Sequence, residues 1–261
     1  MIERELEGKI VLVFGAGSSG TGMSNGEAAA LAYAAAGAAV AAIDMNTDEA
    51  DRVSEEIVAA GGTGISITAD VTSVTDVANA VATVVRELGI PEVLHNNVGS
   101  PKMGSILETG LDDWNTSIGL NLTSTYLTCR STLPHMLKAG RGVIINVSSL
   151  ASIRDTGYTY PAYSSAKAAI NQLTVSLALT YAKQGIRANA LLPGLIDTPL
   201  VTNKISDDPQ ALATRHAMSP TGRMGAPQDI ANAAVFLASD KASYISGVCL
   251  PIDGGLAARC G

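Results

Sequence analysis

Ile10-Val11-Leu12-Val13-Phe14-Gly15-Ala16-Gly17-Ser18-Ser19-Gly20, followed shortly by Asn25-Gly26 and an alanine-rich run, carries the strongest architectural signal in the chain. Five consecutive apolar residues that end on glycine read as a short strand buried on both faces, because a strand with one wet face would alternate. The alanine-rich run reads as a helix. A buried strand, a glycine-rich turn and a helix N-terminus together form a site for a dinucleotide pyrophosphate: glycine lets the backbone approach closely, and the helix end offers free N–H groups. Gly15, Gly17, Ser18, Ser19, Asn25 and Gly26 are the contacts expected there.

Working outward, apolar strands alternate with helical segments. Ala38 to Ile43 reads as a second strand that stops at Asp44, Ile65 to Thr68 as a third ending at Asp70, and Val93-Leu94-His95 as a fourth ending at Asn96-Asn97-Val98-Gly99. Gly142 to Val147 makes a fifth ending in Ser148-Ser149, Ile186 to Leu192 a sixth ending at Pro193-Gly194, and Gly247 to Ile252 a last one before Asp253-Gly254-Gly255. The expected fold is α/β: a single-domain, Rossmann-type, doubly wound sheet of about seven parallel strands with helices on both faces. Asp44 sits where a carboxylate would accept hydrogen bonds from an adenosine ribose and repel a 2′-phosphate, which favours NAD over NADP. Aspartate is also a good helix cap, and a helix is expected over Thr47 to Ala60.

The chemistry is suggested by Tyr163-Ser164-Ser165-Ala166-Lys167 within an expected long helix from Pro161 to Lys183. Residues four apart share a helix face, so the phenol and the ammonium reach one small volume. A free tyrosine has a pKa of about 10. A fixed cation, with a positively charged nicotinamide beside it, would lower that value toward the range of a general base. Ser149, fourteen residues before Tyr163, is placed to bind the reacting oxygen, whereas Ser148 reads as a turn residue.

With these motifs in order, the sequence resembles the short-chain dehydrogenase/reductase family over essentially its whole length. The resemblance implies Tyr163 as acid/base, Lys167 lowering its pKa and holding the nicotinamide ribose, Ser149 binding the reacting oxygen, and Asn121 helping to hold a water near Lys167 in a proton relay. It further implies contacts from Asp70 and Val71 to the adenine and from Asn97 and Gly99 to the adenosine ribose region. Ile196 and Thr198, after Pro193-Gly194, would meet the nicotinamide carboxamide. The chain departs from the family's usual turn: Phe14 replaces a threonine, and eleven residues separate Gly15 from Gly26, an insertion of about five. Val98 replaces the usual alanine. A homotetramer with two-fold contacts through the long helices and the C-terminal strand is implied as well.

Composition fits and excludes competitors. At 261 residues and 47% hydrophobic content, with no linker-like stretch, the chain is long enough for one sizeable core, with residues 1–261 expected as one NAD-binding catalytic domain. A net charge of −7 without basic runs argues against nucleic acid as a partner. The longest apolar region, Ala28 to Ile43, is interrupted by Gly37 and falls short of a membrane span. Met1-Ile2-Glu3-Arg4-Glu5 has no signal core, so a cytoplasmic location is expected. Cys129, Cys249 and Cys260 lack C-x-x-C spacing and His95, His135 and His216 are scattered, so no metal is expected and His95 reads as a core histidine.

The segment from about 195 to 226 has weak periodicity and reads as a substrate lid. Ile153, Tyr158, Tyr160, Leu195, Leu200, His216 and Met218 are its candidate lining, with Arg154, Lys204 and Arg215 as anchors for an anionic group. The mostly apolar set favours a neutral alcohol or ketone that is cyclic, aromatic or steroid-like. The reading is an NAD-dependent alcohol dehydrogenase or ketone reductase. The alternatives are an NAD(H)-binding regulator without turnover and a relative performing elimination or epimerisation.

Overall fold

The computed structural model describes residues 4–20, 22–199 and 208–259. Among them, seven strands form one parallel sheet: β1 Ile10–Phe14, β2 Ala39–Asp44, β3 Thr63–Thr68, β4 Val93–Asn96, β5 Gly142–Val147, β6 Ile186–Pro193 and β7 Cys249–Ile252. Their order is β3-β2-β1-β4-β5-β6-β7. The chain starts at the centre, winds outward through β2 and β3, and returns to the other side of β1 at β4. That reversal leaves a crevice at the carboxyl ends of β1 and β4, where ligands bind in open α/β sheets.

Helices cover both faces. They are α1 Asn25–Ala35, α2 Thr47–Ala59, α3 Val74–Glu87, α4 Leu111–Ile118, α5 Ser124–Ala139, α6 Pro161–Tyr181, α7 Pro209–Met218 and α8 Pro227–Ala238. The two-residue period of β1 divides its side chains between two cores. Val11 and Val13 pack with Ala30 and Tyr33 of α1 and Ile230 and Leu237 of α8. Leu12 and Phe14 pack with Val81 of α3 and with Leu133 and Met136 of α5. Both β1 faces are therefore dry, as its unbroken apolar run requires.

Several expected boundaries move. β3 starts at Thr63, two residues before its apolar run, because Thr63 and Gly64 pair with Ala39 and Val40. β7 starts at Cys249; Gly247 has φ +81°, outside strand geometry. The helix expected to reach Lys183 ends at Tyr181 and tightens into a 3₁₀ turn over Ala182–Gln184. Before α5 the chain forms a π turn over Gly119–Thr123, with Ser124 N–H donating to Gly119 O five residues back. Such turns frequently mark functional sites.

His95 is fully buried, and its Nδ1 lies 3.0 Å from the Tyr33 hydroxyl. Burial lowers its pKa to about 3, so it is a neutral core histidine at ordinary pH. No helix among the described residues is long and apolar enough to cross a membrane. The ends of the 195–226 segment are joined: Gly225 N–H donates to Leu195 O (2.9 Å) and Asp197 N–H donates to Gly225 O (2.8 Å). Leu200, Lys204 and Asp207 of that segment, and Cys260, lie outside the described residues.

Candidate active site

The glycine turn closes around Gly26. An ideal Cβ there would lie 1.9 Å from Gly15 O and 2.6 Å from Asn97 Nδ2, so α1 starts hard against the turn despite the long loop. Asn97 Nδ2 donates to that same carbonyl at 2.9 Å, and Asn97 N–H donates to Phe14 O at 3.0 Å. Asn97 thus ties the end of β4 to the turn after β1. Gly15, at φ +82°, needs glycine both for its backbone and for space, since a Cβ would lie 2.8 Å from Val98 Cγ2. The valine in place of alanine is therefore packing against the turn.

The start of α1 is built from a capping box. Ser24 Oγ accepts from Glu27 N–H (3.0 Å), Glu27 Oε2 accepts from Ser24 N–H (3.4 Å), and Ser24 Oγ donates to Gly17 O (2.8 Å). Asn25, the first helical residue, has a buried Oδ1 with no hydrogen-bond partner. The two orientations of an amide are nearly isosteric, so this position can present either a donor or an acceptor to a ligand. An unpartnered buried amide at a helix N-terminus, beside a turn where any Cβ would collide, fits a dinucleotide pyrophosphate.

Asp44 is not the cap of α2. Asn46 caps that helix, accepting from Asp48 N–H. Asp44 Oδ2 accepts from Gly17 N–H at 2.9 Å, and its Oδ1 accepts from Asn46 N–H at 3.1 Å. The carboxylate therefore faces the glycine turn from the end of β2. Ser18 N–H donates to Glu49 Oε2 (2.9 Å), so the amides of Gly17 and Ser18 are both held by carboxylates of the next strand and helix. Ser19 is exposed.

Four further residues meet at the carboxyl edge of β4 and β5. Lys167 is buried, and its Nζ donates to Val147 O at 2.8 Å and lies 5.7 Å from the Tyr163 ring centre. A Cβ on Gly99 would lie 2.7 Å from Asn121 Oδ1 and 2.8 Å from Lys167 Nζ, so this glycine separates the two. Asn121, in the π turn, donates through Nδ2 to Ser117 O (2.9 Å) and Ser100 O (3.1 Å) and accepts from Ser100 N–H (3.0 Å). Ser149 Oγ accepts from Ala151 N–H at 3.2 Å and acts on the Tyr163 phenol, whose pKa it lowers, while its neighbour Ser148 donates to Lys167 O at 2.9 Å.

Burial sets the protonation states of Tyr163 and Lys167 in the free protein. Burial pushes the Tyr163 pKa up to about 12, against the lowering by Ser149, and brings Lys167 down to about 8. Lys167 Nζ is directed at Val147 O, and burial outweighs any cationic help to the phenol. Tyr163 is thus a neutral hydroxyl at pH 7 in the free protein.

The remaining expected contacts separate. Val71 is buried, in the same core as Phe14, and Asp70 is exposed with its carboxylate accepting from Thr72 N–H (2.8 Å) and Thr72 Oγ1 (2.7 Å). Gly194, after Pro193, is fixed by its N–H to Ile252 O (3.0 Å) and by Asp253, whose Cβ would lie 2.6 Å from an added Cβ. Ile196 puts its side chain into the α8 core, leaving its backbone for any ligand, and Thr198 is buried close by in sequence. Of the pocket candidates, Leu195 is buried, Ile153 is exposed, Arg154 Nε donates to Ala257 O (2.9 Å), and His216 Nδ1 accepts from Met224 N–H (3.0 Å). These contacts hold the chain. Tyr160 packs edge-on against Tyr163, with ring centres 5.3 Å apart, and stacks on Tyr158 at 6.1 Å; Arg215 covers the outer face of Tyr158 and bonds its hydroxyl.

A family model described as "Enoyl-(Acyl carrier protein) reductase" matches residues 20–257. The chain is 38% identical over 250 residues to the 2,5-dichloro-2,5-cyclohexadiene-1,4-diol dehydrogenase LinX of Sphingobium indicum, covering 96% of each chain. Among solved structures it is similar to a short-chain dehydrogenase/reductase from Burkholderia xenovorans, with a TM-score of 0.93, 39% identity and coverage of 98% and 99%. Another is described as an NAD(P)-dependent gluconate 5-dehydrogenase from Beutenbergia cavernae with NADP bound at low occupancy, with a TM-score of 0.89, 35% identity and coverage of 98% and 99%. The chain belongs to the short-chain dehydrogenase/reductase family, which binds a nicotinamide cofactor, and is an oxidoreductase of the kind its dehydrogenase relatives represent.

Proposed function

We propose that residues 1–261 act as one catalytic unit, an NAD(H)-dependent dehydrogenase or ketone reductase for a secondary alcohol/ketone pair. The observation that carries this reading is the gathering of Asn121 and Lys167 around Gly99, with Tyr163 beside Lys167 and Ser149 acting on Tyr163, at the carboxyl edge of β4 and β5. Gly15, Asn25, Gly26 and Asn97 would hold the pyrophosphate side of the cofactor, Asp44 the adenosine ribose, and Lys167 the nicotinamide ribose. When bound, the nicotinamide takes up or delivers the hydride and, in its oxidised form, brings a positive charge to the site.

In the reductive direction Tyr163 donates its proton to the carbonyl oxygen. Its raised pKa keeps that proton available at neutral pH. Ser149 holds the same oxygen by a hydrogen bond, an interaction that strengthens as water is excluded. In the oxidative direction Tyr163 must accept a proton, and a cation near a phenol lowers the cost of the phenolate. Lys167, cationic below about pH 8, stands ready to assist and to refill or drain the proton. Both Nδ2 protons of Asn121 are committed to carbonyls, so its part in the relay falls to the π turn's backbone, where the regular helical ladder is broken.

The substrate is a neutral cyclic alcohol or ketone. The Tyr158–Tyr160–Tyr163 stack offers flat apolar walls beside the phenol, and the dehydrogenase LinX is named for a cyclic diol. A screen of cyclic, aromatic and steroid secondary alcohols with NAD and NADP, and of the matching ketones with the reduced cofactors, tests the proposal. Turnover with NAD on cyclic members is the expected result; cofactor binding without any absorbance change across the panel overturns it in favour of a regulator or a non-redox enzyme.

A further inference from the structure

The extended glycine loop is clamped by a chain of charged contacts that begins and ends on the loop itself. Ser24 N–H donates to Glu27 Oε2, and Glu27 Oε1 accepts from Arg52 Nη1 at 2.9 Å. Arg52 Nη2 and Nε donate to Glu49 Oε2 at 2.9 and 3.3 Å, and Glu49 accepts from Ser18 N–H. Glu56, one turn further along α2, lies 3.5 Å from Arg52 Nη1. One guanidinium thus faces three carboxylates. Glu27 is buried, with 6% of its side chain exposed. Hydrogen bonds from Arg52 and Ser18 hold the Glu49 carboxyl below the usual carboxylate range, so it is charged at neutral pH.

Glu49 also adjoins Asp44. A Cβ on Gly17 would lie 2.7 Å from Glu49 Cβ and 3.0 Å from Asp44 Oδ2, which places the two acidic residues side by side against one glycine. Free ribose hydroxyls find acceptors here. A 2′-phosphate would meet two carboxylates and two backbone donors already taken. Yet Arg52, 41% exposed, lines with Glu27, Glu49, Gly20, Gly22 and Met23 an open cleft of about 400 Å³ beside the loop. A guanidinium is a strong bidentate partner for phosphate when it is not already neutralised.

We propose that Glu49 is a second cofactor-discriminating residue beside Asp44, and that Arg52 is a latent 2′-phosphate ligand kept from that role by Glu27 and Glu49. The proposal rests on the NAD reading above. Glu49→Gln keeps a hydrogen-bond acceptor for Ser18 while removing the charge. Glu49→Gln/Arg52→Gln then removes the guanidinium as well.

Equilibrium titrations that follow the fluorescence of NADH and NADPH test it without turnover. Glu49→Gln should tighten NADPH on the order of tenfold and leave NADH within about threefold. The double variant should lose that gain. Equal changes for the two cofactors would reduce Glu49 to a structural clamp and overturn the proposal, as would an unchanged ratio of the two dissociation constants. A wild-type protein that binds NADPH as tightly as NADH would instead refute the NAD reading itself.

Discussion

Gly26→Ala tests whether the lengthened loop closes as described. The added methyl would sit 1.9 Å from Gly15 O, roughly 1.5 Å inside ordinary carbon–oxygen contact. The obstacle is backbone just past a strand whose last four residues are buried, so no side-chain rotation relieves it. Either α1 withdraws from the turn or Gly15 moves, and both displace the Asn97 Nδ2 bond to Gly15 O. Overpacking costs about 1–3 kcal/mol and the lost hydrogen bond about 0.5–1.5. Together these give roughly 2–4 kcal/mol, or about 4–16 °C in Tm at this chain length. Scanning calorimetry of Gly26→Ala beside Gly110→Ala measures it; a Cβ on Gly110 meets nothing within 4 Å. Gly110 is the N-cap of α4, where alanine is a poorer cap, so the control should lose no more than about 1 kcal/mol. Cofactor affinity should fall with Gly26→Ala, because the same displacement opens the pyrophosphate cradle. A Tm within 1–2 °C of wild type (about 0.5 kcal/mol) together with unchanged NADH binding would refute the close approach and the loop closure built on it.

Tyr163→Phe should keep cofactor binding and lower turnover by about 10²–10⁴, the loss expected for an acid/base group; near-normal turnover in a steady-state assay sinks the assignment. Asp44→Ala should weaken discrimination against NADP, measured as the ratio of kcat/KM for the two cofactors, and an unchanged ratio would confine Asp44 to its bonds with Gly17 and Asn46. For Lys167→Met the sign follows from burial: the folded pKa near 8 lies below the ordinary lysine value, so the buried ammonium opposes folding below pH 8 and that cost fades as pH rises from 8 toward 10.5. Wild-type stability relative to the variant should therefore rise across that window by up to about 3 kcal/mol in urea unfolding, and a flat difference would mean that Lys167 is not desolvated.

What was legible in the sequence was whatever depends on short-range pattern. The dry strands announced themselves as apolar runs, and strand ends delivered Asp44, Asn97 and Ser149 to the crevice because a parallel sheet puts every carboxyl end on one edge. Edge strand β3 was only half visible, since Thr63 and Gly64 join it through backbone pairing alone. The π turn was invisible for a related reason: Leu120-Asn121-Leu122 is compatible with any helix, and the change of hydrogen-bond partner at Ser124 leaves no trace in residue type.

The electrostatic surroundings were the least legible part, because they join residues far apart in the chain. Arg52 with Glu49 and Glu56 is a recognisable helical pattern, but its bond to Glu27 crosses 25 positions and turns a surface pair into a clamp on the loop. The same holds for Tyr163 and Lys167. Their four-residue spacing correctly put them on one face, yet spacing carries no information about solvent, and burial decides which protonation states they hold. Both are driven toward neutrality, the phenol by keeping its proton and the lysine by losing it more readily. A site in that condition is a proton donor as it stands and becomes a base only when positive charge is added. In the proposed reaction the cofactor's charge, oxidised or reduced, sets the protonation state that Tyr163 needs, so the residues proposed to select the cofactor, Asp44 and Glu49, would matter to the chemistry as much as those that touch the reacting oxygen.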